Sequence, residues 1–179
     1  MSLMRQRYVF QVCFTVLLFV SKIPASLAEQ IHDFGTYRIV ISDDTSTSLG
    51  PHAYQIIVEK NEFLSTRLLA QSPGVLSNTY VVDLDSDGLF EVLVTFSQEE
   101  REKAVLHFYH WSEEHLVSRE VPALSAEQLK GYKGNDEFAV KEAKFLRVYQ
   151  VYEKIENSWV PTNAKRHLAL SYDTWKWVD

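Results

Sequence analysis

Cysteine is nearly absent from this chain: the single one, Cys13, lies inside the N-terminal apolar run Tyr8 to Val20. Residues 1–28 have the layout of a secretory signal peptide, with Arg5 and Arg7, then that run, then Pro24 and the small residues Ser26 and Ala28 before Glu29. Cleavage there would leave no cysteine, which excludes disulfides, thiolate zinc sites and a cysteine nucleophile together. Long hydrophobic stretches are lacking as well. The apolar run is too short for the roughly 20 residues that span a bilayer, so the expectation is a periplasmic or secreted protein with no membrane span after cleavage.

Basic charge is also in deficit, with 18 Lys+Arg against 24 Asp+Glu and a net charge of −6. Loss of residues 1–28 removes Arg5, Arg7 and Lys22 and no acid, which moves the net charge to about −9. That balance disfavours nucleic acid and anionic membranes as partners and suits a cationic protein. No Gly-x-Ser-x-Gly elbow occurs, so that route to a serine nucleophile is missing, and no enzymatic activity is expected. No internal repeat or biased linker divides the sequence, and residues 29–179 are enough for one domain with its own core.

What is present is a succession of short β-rich runs: Tyr37 to Ser42, Tyr54 to Glu59, Phe63 to Leu69, Thr79 to Asp83, Phe90 to Phe96, Ala104 to Trp111, His115 to Glu120, Glu137 to Val140, Phe145 to Tyr152 and Leu168 to Tyr172. Turn signals such as Glu59-Lys60-Asn61-Glu62 separate them, which predicts an all-β, antiparallel curved sheet or sandwich built from hairpins. Residues 43–53 and Gln71 to Asn78 read as loops. One short helix is predicted at Ser125 to Lys130, where Ser125 and Gln128 have the spacing of a capping box and Gly131 supplies a stop.

The most specific motif is Asp83-Leu84-Asp85-Ser86-Asp87-Gly88-Leu89-Phe90-Glu91. Calcium takes six to eight oxygens, and alternate side chains around a sharply bending glycine deliver them. Asp83, Asp85, Asp87, the Leu89 carbonyl and Glu91 form the expected Ca2+ ligand set. An EF-hand would need glutamate at its twelfth position, which here is Val94 in a strand-like run, so the loop belongs between strands instead. The alternative is a bare turn whose Asp side chains bond nearby backbone N–H groups.

Other candidates have plainer explanations. His107 and His110 are an odd number of residues apart, which in a strand sends them to opposite faces and prevents them sharing an ion. Glu99-Glu100 and Glu113-Glu114 read as solvated hairpin tips, while Trp175 and Trp177 share a strand face as core or edge cover. The charged connection from Ser97 through Glu99, Glu100, Arg101 and Glu102 to Lys103 reads as an ordinary hydrophilic turn or, functionally, as the expected partner contact, since loops on a rigid sheet commonly carry recognition.

The acidic loop with its flanking strands, Val82 to Val94, resembles that of the periplasmic inhibitors of invertebrate-type lysozyme. So do Tyr132-Lys133-Gly134-Asn135-Asp136-Glu137-Phe138, Phe145-Leu146-Arg147 and Val151-Tyr152. The resemblance spans about Tyr37 to Tyr152 and implies an exported antiparallel β protein that occludes a lysozyme active site with a protruding loop. In those inhibitors a Ser/Gly-rich turn containing tyrosine enters the enzyme cleft. Here the corresponding stretch, Ser97 to Lys103, has neither glycine nor tyrosine, and Ser97 is the only positional match. The expected function is therefore binding of a protein partner, with lysozyme inhibition as its sharpest form. An envelope-associated binding module of the same fold with another ligand is the alternative.

Overall fold

The computed structural model describes residues 29–43, 53–98, 101–171 and 173–178. The candidate signal peptide and Tyr172 lie outside them. Twelve strands form three antiparallel four-stranded sheets, each made of strands consecutive in sequence, and the described residues contain no helix. The first holds β1 (Gln30–Phe34), β2 (Tyr37–Asp43), β3 (Ala53–Lys60) and β4 (Phe63–Gln71). The central sheet holds β5 (Val75–Val82), β6 (Glu91–Gln98), β7 (Arg101–Ser112) and β8 (His115–Arg119). The third, in the order β12-β11-β10-β9, holds β9 (Glu137–Lys141), β10 (Lys144–Ile155), β11 (Ser158–Ser171) and β12 (Thr174–Trp177).

Side-chain alternation in β6 shows how the sheets stack. Val92, Val94 and Phe96 join Ile39, Ile41, Tyr54, Ile56 and Trp111 in a core shared with the first sheet. Leu93, on the opposite face, joins Phe108, Phe145, Tyr149 and Leu168 in a core shared with the third. The central sheet is thus buried on both sides, which explains an uninterrupted apolar run where a half-exposed antiparallel strand would alternate. At the flanks β1 meets β5 and β4 meets β8, so the first two sheets close on each other at both edges.

Three hairpin connections, Asn61-Glu62, Glu113-Glu114 and Glu142-Ala143, have positive φ at both residues. That is the turn whose twist matches antiparallel strands, formed here without glycine. The stretch expected as a loop from Gln71 to Asn78 shrinks to Ser72-Pro73-Gly74, because β4 runs to Gln71 and β5 begins at Val75. Its register shifts between Leu76 and Asn78, where the buried Thr95 hydroxyl donates to the Asn78 carbonyl (3.0 Å) and accepts from the Asn78 N–H (3.0 Å).

β1 was not predicted because its alternation is inverted. Gln30 and His32 point inward and Ile31 is 47% exposed. The inward groups are satisfied by Thr79: its N–H and hydroxyl donate to Gln30 Oε1 (2.9 and 2.8 Å), and His32 Nε2 lies 2.7 Å from Thr79 Oγ1.

The predicted helix at Ser125 to Lys130 makes its capping box and then stops. Ser125 N–H donates to Gln128 Oε1 (2.9 Å), and Gln128 N–H to Ser125 Oγ (3.2 Å). One helical bond forms, from Leu129 N–H to the Ser125 carbonyl (2.9 Å), while the Gln128 side-chain amide donates to the Trp175 carbonyl and its backbone carbonyl accepts from Tyr149 Oη, and the segment remains a run of turns. Gly131 follows at φ +72°, with the Tyr152 carbonyl oxygen 2.4 Å from where a Cβ would stand.

Two motifs on either side of the β9–β10 hairpin meet at the third sheet. The Arg147 guanidinium makes a two-pronged pair with Asp136 (2.7 and 3.0 Å) and donates to Tyr132 Oη (2.8 Å), while Tyr132 donates to Asp136 (2.5 Å). The Asp136 side chain is fully buried, and Arg147 also lies over the rings of Tyr132, Phe138 and Trp175. Removing one partner strands a buried charge, which costs about 3–5 kcal/mol. Asp136→Ala is therefore expected to lose stability on that scale in urea unfolding. A loss below about 1 kcal/mol, the range of an exposed pair, would contradict this role.

Candidate functional site

The acidic loop occupies the connection between β5, ending at Val82, and β6, starting at Glu91. Two left-handed residues, Ser86 (φ 63°) and Gly88 (φ 84°), turn the chain tightly enough for its carboxylates to fold inward. Asp83 Oδ2 accepts from Gly88 N–H (3.0 Å), Asp85 Oδ1 from Asp87 N–H (3.3 Å) and Asp87 Oδ1 from Leu89 N–H (2.7 Å). Each aspartate thereby uses one oxygen to shape the loop. The last two bonds are the Asx-turns of the bare-turn alternative.

Asp83, Asp85 and Asp87 also each offer an oxygen within 4.8 Å of the others. Asp83 Oδ1 is buried and has no hydrogen-bond partner, alone in this among the buried side-chain polar atoms of the described residues. A buried carboxylate oxygen left unpartnered is costly. A hard cation would satisfy it, and an all-oxygen donor set matches calcium chemistry. The three aspartates therefore fit such an ion.

Glu91 stands apart from this trio. As the first residue of β6 it pairs with Val82 on one side and His110 on the other. Its carboxylate, 1% exposed as a residue, accepts from Leu84 N–H at Oε2 (2.7 Å) and lies 2.7 Å from His110 Nδ1 at Oε1. Burial pushes the Glu91 pKa up, and the bonds to Leu84 and His110 partly offset that rise. The five-residue ligand set expected from sequence is thus split: the aspartates form one group, while Glu91 belongs to a second with Asp85 and His110. Asp85 is common to both. The Leu89 N–H donates to Asp87 Oδ1 (2.7 Å).

His107 and His110 do face opposite sides of β7, as their spacing requires. His107 Nδ1 bonds the buried Tyr54 hydroxyl (2.7 Å), which also meets Tyr109 Oη (2.5 Å). His110 turns to Glu91, a neighbour that only strand pairing reveals, since 19 residues separate them.

The expected partner contact is reshaped. β6 extends to Gln98 and β7 begins at Arg101, with those two residues paired, so only two residues connect them. Glu99 and Glu100 lie outside the described residues; Arg101 and Glu102 belong to strand β7, and Ser97 is an exposed strand residue opposite Val75. Glu113-Glu114 is a hairpin tip as read from sequence. Trp175 and Trp177 diverge in burial: Trp175 is buried with its indole N–H on the Pro122 carbonyl (2.8 Å), and Trp177 is 45% exposed beside Arg166. Comparison with protein-family models, with curated proteins and with solved structures finds no match.

Burial lowers the His107 pKa below 6.5. A histidine depressed in the fold stabilises it fully above its unfolded value and progressively less as pH falls toward the folded value. Urea midpoints of the wild type should therefore drop more between pH 7.5 and pH 5 than those of His107→Gln. Equal drops would show that His107 makes no contribution to the pH dependence.

Proposed function

We propose that this chain is an exported, calcium-stabilised β protein that binds a protein partner and acts without catalysis of its own, with inhibition of an invertebrate-type lysozyme as its specific activity. The observation that carries the calcium part is the buried, unpartnered Asp83 Oδ1 beside Asp85 and Asp87. Calcium bound there would offset two of the three carboxylate charges and hold the β5–β6 connection against the central sheet. Asp83, Asp85 and Asp87 would hold the ion. Glu91 braces the loop from below through the Leu84 amide, anchored in turn by His110.

The inhibitory part rests on the resemblance of Val82 to Val94, and of Tyr132 to Phe138 with Phe145-Leu146-Arg147, to the lysozyme inhibitors. The Arg147–Asp136–Tyr132 cluster gives the second of these motifs a structural role as a buried clasp. The lack of glycine and tyrosine from Ser97 to Lys103 favours the alternative, an envelope-associated module with a different ligand.

Calcium should raise the melting temperature of residues 29–179 relative to a chelator, and Asp85→Ala should abolish the rise. Identical melting in both conditions would remove the ion from the reading. Titrating a purified invertebrate-type lysozyme with the same protein should abolish its activity near stoichiometry at micromolar concentration. Full residual activity in excess protein would leave the alternative module.

A further inference from the structure

The group that contains His110 is built from three separate elements. Asp85 comes from the turn of the acidic loop, Glu91 opens β6, and His110 lies directly across from Glu91 on β7. One ligand atom of each lies within 4.8 Å of the other two. The aspartate trio is assembled by its own loop. This group exists only because β6 and β7 pair in the register that sets residues 91 and 110 side by side.

Its chemistry differs from that of the trio. Calcium takes six to eight oxygens, whereas zinc takes four ligands and accepts histidine nitrogen together with carboxylate oxygen. One imidazole and two carboxylates supply three of those four. The Glu91 side chain is 2% exposed and that of His110 15%, while Asp85 is exposed, so the sheet holds two ligands and the third closes from the solvent side, where an ion can enter. Glu91 is already oriented: Leu84 N–H donates to Oε2 (2.7 Å), and Oε1 lies 2.7 Å from His110 Nδ1. Two ligand atoms of a tetrahedral zinc ion stand about 3.3 Å apart, so this pair needs to open by only about 0.6 Å.

The two carboxylates also carry an uncompensated repulsion. Burial pushes the Glu91 pKa up, and the like charge of Asp85 adds to the rise. A divalent ion between them would balance both charges.

We propose that Asp85, Glu91 and His110 form a zinc site, adjoining the aspartate group and distinct from it. The ion takes the place of the hydrogen between His110 Nδ1 and Glu91 Oε1, which leaves as a proton to solvent. Asp85 accepts from the Asp87 N–H at Oδ1 (3.3 Å), and a carboxylate has lone pairs enough on its two oxygens to serve both groups. Zinc would clamp the β5–β6 connection to β7. The site depends neither on lysozyme inhibition nor on calcium in the aspartate group.

The test titrates zinc chloride calorimetrically, in excess calcium, into residues 29–179, which hold all twelve strands, as wild type, His110→Gln, Asp85→Ala and Asp83→Asn, with each melting temperature as a check on folding. The expected result is one equivalent of zinc for the wild type, an affinity at least about tenfold weaker for His110→Gln and Asp85→Ala, and an affinity near the wild type for Asp83→Asn. Loss of the calcium-dependent rise in melting temperature by Asp83→Asn, with zinc binding kept, would show the two groups to be separate. Zinc binding that His110→Gln leaves unchanged would put the ion on the five other histidines and overturn the site. Zinc binding abolished by excess calcium would mean one shared oxygen site and overturn it as well. Absence of zinc binding by the wild type would overturn the zinc site while leaving the calcium melting result as it stands. If His110→Gln fails to fold, the histidine ring resonances of the wild type during the zinc titration decide: a shift at His110 supports the site, and unchanged His110 resonances reject it.

Discussion

The central sheet must be covered on both faces, and the arrangement of the other two sheets answers that requirement. In β6, Val92, Val94 and Phe96 face one way and Leu93 the other, all of them almost fully buried. A single sheet packed against the central one would leave one of these sets in water, at about 25 cal/mol for each Å2 of apolar surface exposed. The first sheet covers one side and the third the other, so each sheet of hairpins, made of neighbours in sequence, finds its stability through contacts with strands far along the chain.

Burial on both faces makes polar groups between the layers expensive unless each has a partner. Between the first and central sheets, Thr79 serves Gln30 and His32, while Tyr54 joins His107 to Tyr109. On the other side of the central sheet, Glu91 is held by His110 and the Leu84 amide. Such groups bond only in one register, because a one-residue slip would move every side chain to the wrong face. They therefore select the pairing that the apolar residues stabilise. Asp83 Oδ1 is the exception to this satisfaction among the described residues, and it lies in the motif whose chemistry calls for a cation.

Two connections of the molecule are held in different ways. The acidic loop is tied into the central sheet through Glu91, which suits a structural ion. Among the described residues the distal part of the β10–β11 hairpin is held by its own pairing and by Lys133 over the Trp159 ring.

Much of this was legible from residues alone. The β6 run, the hairpin tip at Asn61-Glu62, the acidic loop between strands and the opposite facing of His107 and His110 all follow from local periodicity and turn chemistry, which depend on residues within a few positions of each other. Other features depend on partners brought from afar. β1 hides behind inward polar residues that make sense only once Thr79 is beside them, and the capping box at Ser125 stays a turn because Gln128 is claimed by Trp175 and Tyr149. The division of the acidic motif, with Glu91 drawn to His110, was settled by cross-strand pairing, as was the clasp of Arg147 on Asp136 by the approach of a loop to a sheet. Sequence determines what each segment prefers by itself; a buried polar group or a charge takes whichever partner the folded layers set beside it, and that choice exists only after the layers have closed.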